Sequence, residues 1–208
     1  MIGANLKGAN LKSANLENAD LTDTELRYAY LSDANLSKTT LVVAKLNNAH
    51  LRGTNLNSAN FSSAHLYSAA LVGANINNTI LVGAKLQDAD FQSASLKRAN
   101  FDGANLNNTN FTNANLIAAS FVDADFIRAV FIDANLENAN LDDVKNLSNR
   151  QIKSACFWEK AIYTDSEWNE EQKKWVAVDK TANQKRIEAI RQDKASDPKN
   201  PPECDQWQ

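Results

Sequence analysis

Residues 4–18 read A-N-L-K-G-A-N-L-K-S-A-N-L-E-N, one five-residue phrase written three times, and this phrase decides the fold. Beyond this stretch the phase never slips: every fifth position from Leu6 to Leu141 is Leu, Phe or Ile, twenty-eight in all. Two places before each stands Ala, replaced by Thr only at Thr24, Thr39, Thr54, Thr79 and Thr109. Side chains of an extended backbone alternate, so the Ala and the large apolar residue face inward together, and the residue between them, most often Asn, faces out. Five residues cannot alternate strictly and keep phase, so each unit must also turn. All six glycines (Gly3, Gly8, Gly53, Gly73, Gly83, Gly103) fall two residues after a centre, in a slot otherwise filled mainly by Asn, Asp and Ser. These residues tolerate positive φ or bond to their own backbone, as a corner requires.

One corner per unit makes a polygonal coil. Four corners of about 90° close it, with strands stacked about 4.8 Å apart. Two signals of period twenty support four units per coil. Asn15, Asn35, Asn55, Asn75, Asn115 and Asn135 form a column interrupted only by Ser95, and stacked Asn side chains can bond up such a ladder. Phe91, Phe111 and Phe131 fall on one side, Phe61, Phe101 and Phe121 on the opposite one. Units this small cannot bury an apolar face alone and must stack on their neighbours. The expectation is an all-β solenoid of about seven coils, a rod of roughly 34 Å at that spacing.

With A-N-L-x-x standing at Ala4 to Gly8, Ala14 to Asn18 and Ala34 to Lys38, residues 1–144 resemble the pentapeptide repeat family. The resemblance implies a right-handed quadrilateral β-helix and a non-catalytic role in binding other proteins. Some members of that family bind DNA gyrase by imitating the charge and shape of duplex DNA, which gives a second functional reading.

After Leu141 the phase is lost, and residues 145–208 hold all four tryptophans and all three prolines. They are expected to form a helical C-terminal cap and an extended tail. Ser148-Asn149-Arg150-Gln151 has the form of a capping box and opens a helix predicted over 148–163, with Ile152, Ala155, Cys156 and Ile162 at helical spacing. Two further helices are predicted near 166–177 and 181–195, the last stopped by Pro198. Outward-facing Ile117, Val122, Ile127 and Ile132 are candidates to receive such packing. The stretches Q-I-K-S-A-C-F-W-E-K-A-I-Y (151–163) and D-P-K-N-P-P-E-C-D-Q-W (197–207) resemble the tail of cyanobacterial members of the family, a pointer to source more than to role.

Cys156 and Cys204 are the only cysteines. A bridge between them would staple the tail to the cap and imply an oxidising compartment, periplasm or thylakoid lumen. Two independent thiols, Cys156 being a small buried hydrophobe, would leave a cytoplasmic setting open. The start at Met1, already in repeat phase, is consistent with a removed targeting segment or with a plain cytoplasmic start.

Charge and composition exclude more than they assign. No stretch approaches the ~20 apolar residues of a membrane span. No basic face suited to nucleic acid is present. His50 and His65, the only histidines, fall on different sides, and no cysteine lies in the repeats to complete a zinc site. Every Ser, Asp and Glu of the repeats fits a corner or surface role, so neither a catalytic constellation nor a cofactor is expected. Residues 1–87 carry seven basic and five acidic groups, and residues 88–143 three basic and nine acidic. The acidic end includes Asp123, Asp125 and Asp133. Its charge is far below the one per ~1.7 Å of duplex DNA, and a solvated polar face accounts for it equally.

Tyr28, Tyr30 and Tyr67 are aromatics in outward or corner slots, a residue type enriched at interfaces, although scattered surface apolar residues are ordinary. Together with Asp123, Asp125 and Asp133 they form the candidate interaction surface for an unknown protein partner. A third reading is a purely structural module that pairs as a homodimer through the open N-terminal coil around Met1 to Leu21.

Overall fold

A computed structural model describes residues 1–207. From Asn5 to Lys145, the outward residue of every unit pairs in parallel with the residue twenty positions on, as in Asn5 with Glu25, Glu25 with Lys45 and Asp125 with Lys145. The coil is therefore four-sided, and its outward slots form four columns beginning at Asn5, Asn10, Asn15 and Asp20. Within a unit the hydrogen bonds follow one scheme. The centre donates upward (Leu6 N–H to Glu25 O, 2.8 Å), and the outward residue donates downward (Glu25 N–H to Ala4 O, 2.9 Å). The corner residue at positive φ donates upward (Gly8 N–H to Arg27 O, 2.9 Å), and the Ala closes the turn onto the preceding centre (Ala9 N–H to Leu6 O, 3.0 Å).

One N–H of the five is left over, that of the residue after the centre. The outward Asn or Asp takes it: Asn15 Oδ1 accepts from Glu17 N–H at 3.1 Å, Asn60 from Ser62 at 2.9 Å and Asn135 from Glu137 at 2.9 Å. This local turn explains the abundance of Asn better than the expected side-chain ladder does. Bonds along the Asn15 column occur at Asn15–Asn35 and Asn35–Asn55, 3.3 and 3.1 Å.

The interior is one continuous core of Leu, Ala and Phe. Phe91, Phe111 and Phe131 stack along one inner side at 5.3 Å per step, and Phe101 stacks on Phe121 at 5.0 Å. The threonines that replace Ala are buried too, and their hydroxyls reach carbonyls of the coil before, as from Thr54 to Leu31 O at 3.0 Å.

The tail departs from expectation. The helix predicted over 148–163 is a short one, α1 (Asn149–Lys153), followed by a 3-10 turn at Trp158–Lys160. The predicted capping box is present. Between these pieces the chain rejoins the ladder, with Cys156 pairing with Asn135 and Ile162 with Asn140. Ile152, Ala155 and Ala161 are buried as inward residues of that added, irregular coil. A parallel ladder offering bonds at Ala134 O and Ala139 O (2.7 and 2.9 Å) out-competes helix continuation, which gains one bond per residue but cannot cover the open strand edge. Gln151 completes the closure by donating through Nε2 to Phe126 O and Ala129 O, 3.0 and 2.8 Å.

Residues 166–177 are not a helix. They form an antiparallel pair, β1 (Ser166–Asn169) and β2 (Lys174–Ala177), with Trp168 opposite Trp175. Helix α2 (Lys180–Gln192) meets the third expectation, N-capped by Asp179 and burying Ile187 and Ile190. Trp175 Nε1–H donates to Ala118 O at 3.2 Å, placing the β1–β2 hairpin beside Ile117, while Ile127 and Ile132 stay exposed.

Candidate functional site

Two outward columns each give up, over three coils in a row, the Asn or Asp that satisfies the leftover N–H. Tyr30, His50 and Ala70 stand in the Asn10 column, and Lys45, His65 and Lys85 in the Asn5 column, on adjacent sides of the rod. Elsewhere such losses come singly, as at Thr40, Ile80, Ser95 and Ser120, each with Asn or Asp directly above and below it in its column. Each departure forgoes a local hydrogen bond of roughly 1 kcal/mol. Tyr67 N–H recovers one from Asn47 Oδ1 at 3.3 Å. The corner between the two columns adds Arg27, Tyr28 and Tyr67.

Aromatic and cationic groups interleave along this edge. Tyr30 stacks on His50, centroids 4.8 Å apart and planes within 4°, and Lys12 Nζ lies 5.5 Å above the same tyrosine ring. Lys7 Nζ sits 6.0 Å from the Tyr28 ring, and His65 meets Tyr67 edge-on at 6.1 Å. Tyr28 and Tyr30 are 51% and 43% exposed. Partial burial, then Lys85 and Lys45 above and below it, hold the His65 imidazole below its ordinary pKa. Both faces of Tyr30 are covered, so it offers a partner its hydroxyl and ring edge. The edge is thus a row of donors and ring edges set at ladder spacing. No tail hydrogen bond among the described residues reaches it; the tail's bonds to the repeats fall on later coils, from Asn113 and Ala118 to Leu141.

The three tyrosines of the predicted surface therefore share one edge. The three aspartates do not join them. Asp123 pairs with Lys145 at 3.3 Å, and Asp125 accepts from Asn146 Nδ2 and Asn107 Nδ2. Asp133 anchors the tail, accepting Glu203 N–H through Oδ1 at 2.6 Å, while its carbonyl accepts Trp207 Nε1–H at 2.9 Å. Asp125 and Asp133 thus serve the molecule internally, while Asp123 stays exposed in its ion pair. Cys156 and Cys204 are joined as a disulfide, Cα atoms 5.6 Å apart, which holds the last residues along that same corner. The predicted surface leaves out Lys45, His50, His65 and Lys85; numbering the outward slots in twenties places them beside its tyrosines.

Among the described residues, no cluster of three or more His, Cys, Asp or Glu is placed to hold a metal, and no helix is long and apolar enough to cross a membrane. The coil at the amino end leaves Leu6, Leu11 and Leu16 only partly buried and Ile2 exposed.

Comparison with known proteins places the repeats. Residues 44–116 match the model of a pentapeptide repeat region, and residues 2–41 and 109–145 match that of pentapeptide repeats in eight copies. The chain is similar to HetL, a pentapeptide repeat protein involved in heterocyst differentiation regulation from the cyanobacterium Nostoc sp. strain PCC 7120. Identity is 30% over 79% of this chain and 87% of that one, with a TM-score of 0.41. It is 31% identical to Rfr23 of the cyanobacterium Cyanothece 51142 over 53% of this chain and 60% of that one, TM-score 0.35. A trypsin-treated variant of QnrB1, a plasmid-mediated fluoroquinolone resistance protein, is 17% identical over 74% and 89% of the two chains, TM-score 0.50. That last likeness concerns the fold alone. No curated protein matches the chain.

Proposed function

Because the chain belongs to the pentapeptide repeat family, whose members form right-handed quadrilateral β-helices, we propose that it is a non-catalytic scaffold that docks a protein partner along its tyrosine edge. In this reading residues 1–144 are a rod of about seven coils, and residues 145–208 are the cap and strap that close it. One observation carries the proposal: the unbroken loss of Asn over three coils at Tyr30, His50 and Ala70 and again at Lys45, His65 and Lys85, in two adjacent columns. Each exchange gives up a local bond for at most a surface contact, the Tyr30–His50 stack or the Lys45–Asp23 pair, and positions that break a local rule for so small a structural return are where function is sought. Tyrosine and arginine are also the residue types that dominate binding hot spots.

The test is affinity capture from the native source with three proteins: wild type, Tyr28→Ser/Tyr30→Ser, and Asp123→Asn/Asp125→Asn. The partner is expected with the wild type and the aspartate variant and absent with the tyrosine variant. Equal capture by all three overturns the assignment of the edge.

The gyrase-directed reading is disfavoured by the low acidic charge of residues 88–143, nine acidic against three basic groups, with Asp125 and Asp133 also bonded within the chain. Inhibition of gyrase supercoiling by micromolar protein would restore it. The self-associating reading rests on the partly buried Leu6, Leu11 and Leu16 at the open end. A mass that stays monomeric at rising concentration removes it. The disulfide supports a setting in an oxidising compartment, periplasm or thylakoid lumen.

A further inference from the structure

The β1–β2 hairpin does not lie flat on the rod. It leaves a cleft against the corner of Asn78, Arg98 and Ala118 that divides into two adjoining hollows of about 250 and 340 Å³. Trp168 and Trp175 wall the smaller one, their centroids 5.4 Å apart and their planes at 71°. Trp175 is fixed there by its bond to Ala118 O. Lys97, Lys173 and Lys174 ring the larger, and Arg98 and Asn78 belong to both.

Two features of this cleft are unexplained by folding. The first is charge. Four cations gather here in a chain of net charge −3, and among the described residues only Lys173 has a carboxylate partner, Glu170. Like charges brought together cost free energy unless something compensates them. The second is backbone strain. Arg98 occupies the left-handed corner slot at φ +57°, in a series that carries Asn78 before it and Ala118 and Asn138 after it; Lys38 of the same series and Arg128 are the other long cations of the repeats held at this φ. An arginine there forgoes the local bonding that makes Asn cheap in this conformation, and such strain clusters at ligand sites. Ala118 has its own reason, the indole packed on it.

A second cleft, about 510 Å³ beneath Pro198–Glu203, offers less: of its two lining carboxylates, Asp133 is already bonded to the strap that roofs it.

We propose that the hairpin cleft binds a small ligand carrying one anionic group on a planar apolar body. The carboxylate, sulfonate or phosphate lies between Arg98, Lys97 and Lys174, where the guanidinium supplies paired donors. The planar body enters the tryptophan-walled hollow. The combined volume is that of a small-molecule site, apolar on one side with a few convergent polar groups on the other. This site stands apart from the tyrosine edge and does not depend on the scaffold reading.

The experiment titrates the full chain with 2-naphthoate, 2-naphthalenemethanol and inorganic phosphate, read by calorimetry and by tryptophan fluorescence. Naphthoate is expected to bind saturably and more tightly than either the neutral alcohol or phosphate alone. Arg98→Asn keeps the corner in the form natural to Asn78, so the coil should fold at least as well, with unchanged circular dichroism. Its naphthoate affinity should fall roughly ten- to hundredfold, the value of a hydrogen-bonded charge. Naphthoate binding no tighter than the alcohol, binding unchanged in Arg98→Asn, or no saturable binding in the millimolar range overturns the proposal.

Discussion

Phe111→Ala tests whether coils of this rod share one core or merely stack. The ring is fully buried and meets four others: stacked on Phe91 and Phe131 at 5.3 Å, and edge-on to Phe101 at 6.0 Å and Phe121 at 6.2 Å. Truncation removes all four contacts at once. The cavity cannot close, because its walls are strands pinned above and below, Phe111 N–H itself donating to Val130 O at 2.8 Å. Phe→Ala changes in cores cost about 3–5 kcal/mol, and rigid walls put this one in the upper half of that range. Phe111→Leu installs the commonest centre of the repeat and should cost about 1 kcal/mol. Leu6→Ala, in a coil with one neighbour and a partly exposed centre, should cost about 1 kcal/mol or less. Guanidinium unfolding followed by far-ultraviolet circular dichroism reports the ladder. Tryptophan fluorescence reports the tail, since Trp158, Trp168, Trp175 and Trp207 all lie there. The two probes should shift together for Phe111→Ala, because the tail's added coil is built on the core that loses the ring. Equal costs for Phe111→Ala and Leu6→Ala, or a Phe111→Ala cost below about 1.5 kcal/mol, would refute a shared, incompressible core.

Three further outcomes are expected. Val43 is a β-branched residue at φ +52°, so Val43→Asn should raise stability by about 1 kcal/mol, and a lowered melting temperature would contradict the strain assigned to that corner. Reducing Cys156–Cys204, which are 48 residues apart, removes at most about 4 kcal/mol of loop-closure constraint. Amide exchange should then rise over 197–207 and stay unchanged in the repeats; a global rise would show that the strap holds the rod itself. The pKa of His65 lies below the 6.5 of the free side chain, so the unfolded chain takes up a proton that the folded one resists. Its penalty is absent above that value and grows as pH falls through it toward the folded value. His65→Asn should therefore flatten the acid side of the melting-temperature profile while leaving the alkaline side unchanged; an unaltered acid side would contradict the burial assigned to the imidazole.

The repeats were legible because inward and corner slots follow rules with few exceptions: Leu, Phe or Ile beside Ala or Thr inside, and mostly Gly, Asn, Asp or Ser where φ is positive, Tyr28, Lys38, Val43, Arg98, Ala118 and Arg128 aside. The role of Asn was legible only in part, because a bond within the turn and a bond up the column call for the same residue; Asn15, Asn35 and Asn55 make the column bond, but the turn bond, as from Glu17 N–H to Asn15, is the one that recurs. The tail misled for a different reason. Ile152, Ala155 and Cys156 have helical spacing, yet an irregular coil buries the same positions once Cys156 joins the ladder at Asn135. Trp168 and Trp175, seven apart, fit a helical stripe as well as a cross-strand pair. The turn between them, with Lys173 at φ +52° and Gln172 N–H bonded to Asn169 Oδ1, settles it for the hairpin. The disulfide depends on contacts between residues far apart in sequence, which no local pattern encodes.

A fold this regular makes its exceptions informative. Each unit has one inward centre, one small inward partner and one corner whose occupants are dictated by packing and φ, so variation there should carry a cost and a cause. Ala118 has its cause in the Trp175 indole, and Tyr28 borders the tyrosine edge beneath Lys7. Arg98 faces the hairpin cleft. Lys38 reaches Glu17 at 3.2 Å, and Val43 and Arg128 have no cause that the structure shows. The outward slot is freer, but even there Asn holds an N–H that other residues abandon. Random drift leaves single losses, as at Thr40, Ile80, Ser95 and Ser120, each bracketed by Asn or Asp in its own column. Losses that persist through three coils on two neighbouring sides are a different pattern. Their concentration beside exposed tyrosines and lysines is what separates a docking edge from a merely soluble surface.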